Sequence, residues 1–160
     1  MMNPYAFLLA SKLSSPAKAN KVIPLKKMFE TILYFDGCSK GNPGPSGAGA
    51  VLYKNGEEIW ADKIFVGVNE TNNIAEYSGL LLGLNEAHNM DIKELLVRGD
   101  SLLVIKQMKG EYKVNSESLR ILYNKAKELE TLFDSIEYEH IYRTNNSRAD
   151  QLANEGLGIE

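Results

Sequence analysis

Hydrophobic and polar positions follow two regimes along this chain, and the change comes near residue 30. Before it, residues 1–9 are weakly apolar, residues 11–20 small and polar, and residues 22–25 form a short apolar stretch interrupted by Pro24. No period emerges, so this part reads as a loosely structured extension or linker, with docking onto the remainder as the alternative. From Glu30 the pattern becomes regular. Thr31, Ile32, Leu33, Tyr34 and Phe35 make a β-rich run that stops at Asp36-Gly37, the signature of a buried first strand. A loop containing Gly41, Pro43, Gly44, Pro45 and Gly47 precedes a strand over 48–54, and Asn55-Gly56 is a hairpin turn into a third strand over 57–66.

The period then lengthens to that of a helix. Asn73 can cap a helix over 74–89, with Glu76 at its third position and Leu80, Leu81, Leu84 and Ala87 on one apolar face. A strand over 94–98 ends at Gly99-Asp100. A short helix over 101–108 is closed by Gly110, and a longer one over 115–133 carries Leu119, Leu122, Ala126, Leu129 and Phe133 as its core stripe. A last strand over 136–142 and a last helix over 147–157 complete the order β-β-β-α-β-α-α-β-α. Three strands joined by hairpins, then two reached through helical crossovers, predict an α/β fold: a five-stranded mixed sheet flanked by helices. With 160 residues in all, the division expected is an extension over 1–29 and one domain over 30–160.

Charge adds an asymmetry. The formal net charge is −3, but residues 1–29 hold five lysines (Lys12, Lys18, Lys21, Lys26, Lys27) and no acid, leaving 13 basic against 21 acidic residues, a net of −8. An acidic body is a poor general polyanion binder, so any nucleic-acid contact must be local and assisted by cations. No apolar run approaches the roughly 20 residues of a membrane-spanning helix, and the expectation is an intracellular, cytoplasmic protein without a membrane partner. Lysine and serine without acids also suit an organellar targeting segment, although arginine is absent. The single cysteine, Cys38, allows no internal disulfide and no multi-cysteine zinc site.

Candidate chemistry lies where strands end. If the strand over 94–98 runs parallel beside the first, Asp36 and Asp100 emerge at one edge of the sheet, where two carboxylates repel unless a divalent cation lies between them. Oxygen ligands suit Mg²⁺ or Mn²⁺ rather than zinc. Ordinary alternatives exist for each acid: Asp36 as the start of a turn, Asp100-Ser101 as a helix cap, Glu76 as a capping-box acid, Asp150 as a first-turn acid favoured by the helix dipole.

Four segments, in order, change the weight of these alternatives: residues 34–49 (YFDGCSKGNPGPSGAG), residues 71–77 (TNNIAEY), residues 97–101 (VRGDS) and residues 145–154 (NNSRADQLAN). Over about residues 30–158 the chain resembles the type 1 ribonuclease H family. The resemblance implies the ribonuclease H-like fold and an endonuclease that hydrolyses the RNA strand of RNA/DNA hybrids, leaving 5′-phosphate and 3′-hydroxyl ends. It implies Asp36, Glu76, Asp100 and Asp150 as catalytic residues and ligands of two Mg²⁺ ions, replaceable by Mn²⁺, lying about 4 Å apart, with Asp36 bridging them. Gly37, Cys38, Ser39, Asn42, Asn72 and Asn146 are implied on the substrate side, and Thr71 at a phosphate of the DNA strand. Reading RNA against DNA takes groups at successive 2′-hydroxyls, and Gly41, Gly44 and Gly47 are expected to let the backbone approach the sugar-phosphate chain.

Two departures from the family pattern matter. Many relatives carry a mobile histidine between the last strand and last helix; here the loop is Arg143-Thr144-Asn145-Asn146, and Arg143 is the candidate auxiliary group. His140, in phase with Ile136, Tyr138 and Tyr142, is expected to pack. Lys106, Lys109 and Lys113 are followed almost directly by the next helix, so a long basic projection is absent or reduced and weak, salt-sensitive hybrid binding by a monomer is expected. The competing readings are a nuclease of the same broad fold acting on branched or single-stranded DNA, and a noncatalytic hybrid-binding module.

Overall fold

A computed structural model of the protein describes residues 27–158. Residues 1–26 of the expected extension lie outside the described residues. Strands β1 (Thr31–Ser39), β2 (Gly44–Lys54) and β3 (Glu57–Glu70) are followed by helix α1 (Asn72–Asn89), strand β4 (Glu94–Gly99), helices α2 (Leu102–Met108) and α3 (Glu117–Glu130), strand β5 (Ser135–His140) and helix α4 (Ser147–Leu157). The five strands form one sheet in the order β3-β2-β1-β4-β5. β1 is central, antiparallel to β2 and parallel to β4, and β5 is parallel to β4. The predicted mixed sheet and its element order are therefore observed.

Alternation along the strands divides the interior. Leu33 and Phe35 of β1, Leu52 of β2, and Leu95 and Val97 of β4 join Leu80, Leu84 and Ala87 of α1 and Leu119 and Ala126 of α3 in one apolar cluster. Each fully buried leucine stabilises the fold by roughly 1.5–3 kcal/mol relative to exposure. Leu81, placed on the same stripe by the sequence pattern, is only partly buried. On the other side α4 lies across β1, β2 and β3, burying Ala149, Leu152 and Ala153. Its contact is close because β2 offers glycines there: a Cβ on Gly47 would lie 2.3 Å from Ala153 O, and one on Gly49 would lie 2.4 Å from Leu152 Cβ.

Several boundaries differ from the sequence pattern, each for a tertiary reason. β1 does not stop before Asp36; residues 36–39 pair with residues 46–49, so the glycine-rich stretch read as a loop is largely strand. β3 runs on to Glu70 through irregular pairing with the start of β2. Thr71, not Asn73, caps α1, its Oγ1 accepting from Ile74 N at 3.2 Å. α3 begins two residues later than expected because Ser116 caps it. β5 ends at His140, and Tyr142, 75% exposed, does not share its phase. Among the described residues no helix is long and apolar enough to cross a membrane.

Candidate active site

Pairing registers decide where the acids stand. β1 and β4 pair in parallel up to Phe35 opposite Gly99, so the next residues, Asp36 and Asp100, come abreast where that ladder ends. Asp36 is thus inside a strand on its β2 side, opposite Gly49, and at the end of one on its β4 side. The third acid arrives on α1, which presses directly on β1: a Cβ on Gly37 would fall 2.2 Å from the carbonyl carbon of Ala75 and 2.3 Å from Glu76 N. Only glycine admits that approach.

Oxygens of Asp36, Glu76 and Asp100 all lie within 4.8 Å of one another. Asp36 is 4% exposed and Glu76 8% exposed. Burial is the main cause that pushes the Asp36 carboxyl from 3.8 to about 7, with Asp100 and Asp150 raising it and Glu76 and the Gly37 N–H opposing. Gly37 N donates to Asp36 Oδ1 at 2.9 Å. Glu76 is raised well above the usual carboxyl range, first by burial and then by the charge of Asp36. Two carboxylates hold no donor between them, so only a proton or a cation can join them. Oε2 of Glu76 is buried without a partner, and among the described residues no ion pair neutralises Asp36, Glu76 or Asp100. Buried acids with an orphaned oxygen and no counter-charge fit a divalent cation held by oxygen ligands.

The capping alternatives weaken on inspection. Thr71 as cap makes Ile74 the third helical residue, so Glu76 sits one turn in and takes no part in a capping box. Ser101 caps α2, accepting from Val104 N at 3.3 Å, and leaves Asp100 out of that role. Asp150 does occupy the first turn of α4. It stands outside the group of three yet bears on Asp36, and it meets Arg143 Nη2 at 3.6 Å.

Known proteins resemble the chain in sequence and fold. The family described as Reverse transcriptase-like matches residues 34–156. A Ribonuclease HI of Halobacterium salinarum is 39% identical over 153 residues, covering 96% of this chain and 77% of the relative. The chain belongs to the type 1 ribonuclease H family. A Pseudomonas savastanoi Ribonuclease H is 36% identical over 78% of this chain and 91% of its own. The bifunctional protein Rv2228c of Mycobacterium tuberculosis is 40% identical over 130 residues, but the chain spans only 35% of its length. The crystal structure of Halobacterium salinarum ribonuclease H1 superposes with a TM-score of 0.77 at 41% identity, covering 80% of this chain and 97% of that one. The LC11 ribonuclease H1, solved in complex with an RNA/DNA hybrid, gives 0.75 at 34% identity over 80% and 96%.

For a ribonuclease H, the remaining candidate residues divide into two groups. Asn42 and Asn72 come together at the surface, Asn42 Oδ1 accepting from Asn72 N at 3.0 Å. Thr71 is exposed beside them while it caps α1. Gly37, Cys38 and Ser39 are engaged internally. Gly37 lies under α1. Cys38 is half-buried, and burial raises its thiol pKa, which disfavours the thiolate. Ser39 shares a hydroxyl contact of 2.5 Å with Ser46. Gly44 and Gly47 do not face a substrate chain: a Cβ on Gly44 would meet Lys40 O at 2.2 Å, and Gly47 is covered by α4. Gly41, exposed with φ +95°, keeps the expected freedom.

His140 packs edge-on against Tyr142, with ring centroids 5.9 Å apart, and its Nε2 also lies 3.2 Å from Asp100 O. Arg143 occupies a short 3₁₀ turn and its side chain is 80% exposed. Asn146 is 1% exposed, and its Nδ2 donates to Phe35 O at 2.9 Å and to Asp100 Oδ2 at 3.0 Å. Neither contact of His140 and Asn146 is readable from periodicity, because both depend on how β5 and α4 return to the end of β4.

Proposed function

We propose that this chain is an endonuclease that hydrolyses the RNA strand of RNA/DNA hybrids, with Asp36, Glu76, Asp100 and Asp150 holding two Mg²⁺ ions for which Mn²⁺ can substitute. The observation that carries the reading is the meeting of three buried or half-buried carboxylates within 4.8 Å, one with an orphaned oxygen, in a chain of the ribonuclease H family. A bound cation pair would supply activation of a water nucleophile and neutralise charge on the leaving oxygen. The protein's part is to set the acids. Asp36, abreast of Asp100 and beside Glu76, is the acid suited to both ions, and Asp150 flanks it from α4.

Substrate recognition is assigned to the surface next to the acids. The Asn72 N–H holds Asn42 Oδ1, which orients the exposed Asn42 amide, and the Asn42 Nδ2 and Asn72 side-chain amide are suited to 2′-hydroxyls of an RNA strand, with the backbone of residues 37–39 alongside and the Thr71 hydroxyl toward a DNA-strand phosphate. Arg143 is assigned an auxiliary role through its charge beside Asp150. Products carrying 5′-phosphate and 3′-hydroxyl, a monomeric state, an intracellular setting and a boundary near residue 30 belong to the same proposal. The test is end-labelled RNA annealed to DNA, incubated with Mg²⁺ or Mn²⁺, comparing the wild type with Asp36→Asn and with duplex RNA and duplex DNA substrates. Hybrid-specific cleavage lost in the variant is expected; RNA left intact by the wild type with both metals overturns the reading.

A further inference from the structure

Asparagine is among the preferred residues at a helix N-cap because its side-chain oxygen accepts from the first-turn N–H groups. Among the described residues, α1, α2 and α3 are capped in this way by Thr71, Ser101 and Ser116. Asn146 holds the same position before α4 and makes no side-chain cap. Its side chain turns inward instead. Nδ2 donates both to Phe35 O, the peptide before Asp36, and to Asp100 Oδ2, while the backbone carbonyl of Asn146 accepts from Asp150 N at 3.0 Å in the first turn of α4. Both Nδ2 partners are acceptors, so the opposite amide orientation would set oxygen against oxygen. Oδ1 remains buried without a partner. A buried orphan acceptor is unfavourable, and so is a missing cap. The chain tolerates both losses at one residue, and what that residue gains is a fixed contact to an acid of the site.

We propose that Asn146 is a positioning residue for the acid cluster, tying β1 at Asp36, the Asp100 carboxylate and the start of α4 at Asp150 together, rather than a contact to the substrate. The proposal rests on the reading that these acids hold divalent cations. A carboxylate with one oxygen held by a donor has its orientation set and keeps the other oxygen for a cation. Outer groups of this kind commonly change metal affinity by 10–100-fold when removed.

Mn²⁺ alone, titrated into the full chain without hybrid and followed by electron paramagnetic resonance, tests this. Asn146→Ala is expected to weaken Mn²⁺ binding at least about tenfold, and to raise the Mn²⁺ concentration for half-maximal cleavage while KM for the hybrid stays within about twofold. Asn72→Ala, by contrast, should raise KM and leave the Mn²⁺ titration unchanged. Unaltered Mn²⁺ affinity in Asn146→Ala with a raised KM would overturn the proposal and return Asn146 to the substrate side. Should that variant fail to fold, the wild type answers by NMR: the Asn146 side-chain amide protons exchange slowly and shift on adding Mg²⁺ alone. A resonance that moves only when hybrid is added would equally refute it. If wild type and Asp36→Asn bind Mn²⁺ alike, the cation reading itself has failed and this proposal falls with it.

Discussion

Removing one charge from the acid cluster should stabilise the cation-free protein, and the structure sets the size of the effect. Asp36 has its pKa raised from 3.8 to about 7, so between these values the folded chain holds a proton that the unfolded chain has lost. Stability from this group is complete below about pH 4 and disappears as pH rises through about 7. At about 1.4 kcal/mol per tenfold change in proton affinity, ionising Asp36 by pH 8 costs the fold up to about 4 kcal/mol. Relaxation of the neighbouring acids brings the expected value to about 2–4 kcal/mol. For a chain of this size that corresponds to a Tm change of roughly 5–15 °C. Asp36→Asn keeps an oxygen for the Gly37 N–H and removes the charge. In EDTA at pH 8 the variant should therefore melt above the wild type, and at pH 5 the gap should shrink to well under half of its pH 8 size, since only about 1.2 of the roughly 3.2 pH units between the two pKa values have been crossed. Mg²⁺ at a hundred times its Kd should close most of the gap at pH 8, since it adds about 2.7 kcal/mol to the state that binds it. Circular dichroism melts at pH 5 and 8, with EDTA or Mg²⁺, measure all of this. Groups common to both chains cancel in the difference. Equal pH dependence of wild type and variant in EDTA would refute the argument that burial of uncompensated charge governs the site.

Other outcomes follow from single contacts. Gly37→Ala drives a methyl into the α1 backbone at 2.2 Å; a loss of about 2–3 kcal/mol in urea unfolding, with impaired metal binding, is expected, and a loss under about 0.5 kcal/mol would contradict the packing. Arg143→Ala removes the cation 3.6 Å from Asp150, and its turnover should drop several-fold; unchanged turnover and metal dependence would remove the auxiliary role. Hybrid affinity should decline with salt along a slope of only a few phosphate contacts, because the segment between α2 and α3 is short, and Lys106 in the last turn of α2 and Lys109 just after it both meet Glu111. Deleting residues 1–28, with their five lysines, should raise KM more than it lowers turnover, and kinetics on the truncated chain that match the full chain would discount the extension.

Strand and helix types were legible because their cause is local: the run at Leu33 and Phe35 and the stripe at Leu80, Leu84 and Ala87 carry their periods in the chain itself. The four acids were legible as candidates, each with an innocent alternative at a turn or cap. What periodicity could not carry was partnership. Asp36 reads as a strand terminus because Gly37 follows it, yet β2 supplies a glycine and alanine track that extends the pairing to Ser39. Thr71 and Asn73 are both acceptable caps, and the turn from β3 decides between them. Gly44 and Gly47 read as openings for a ligand, but a glycine admits a neighbouring backbone just as readily, and here the neighbours are Lys40 and α4. Asn146 shows the same limit from the polar side: its composition suits a cap, and only the return of α4 to the end of β4 redirects it.

Where α4 crosses β2, main chain rests almost on main chain, with Gly47 and Gly49 providing the seat. The span from Asp150 to Asp36 is therefore gauged by backbone thickness and not by the bulk of any interposed side chain. Apolar residues elsewhere in the interior can exchange volume with one another while that span holds. In a saturation screen for activity, these two glycines should consequently behave like the carboxylates, refusing every replacement, although neither carries a group able to touch RNA.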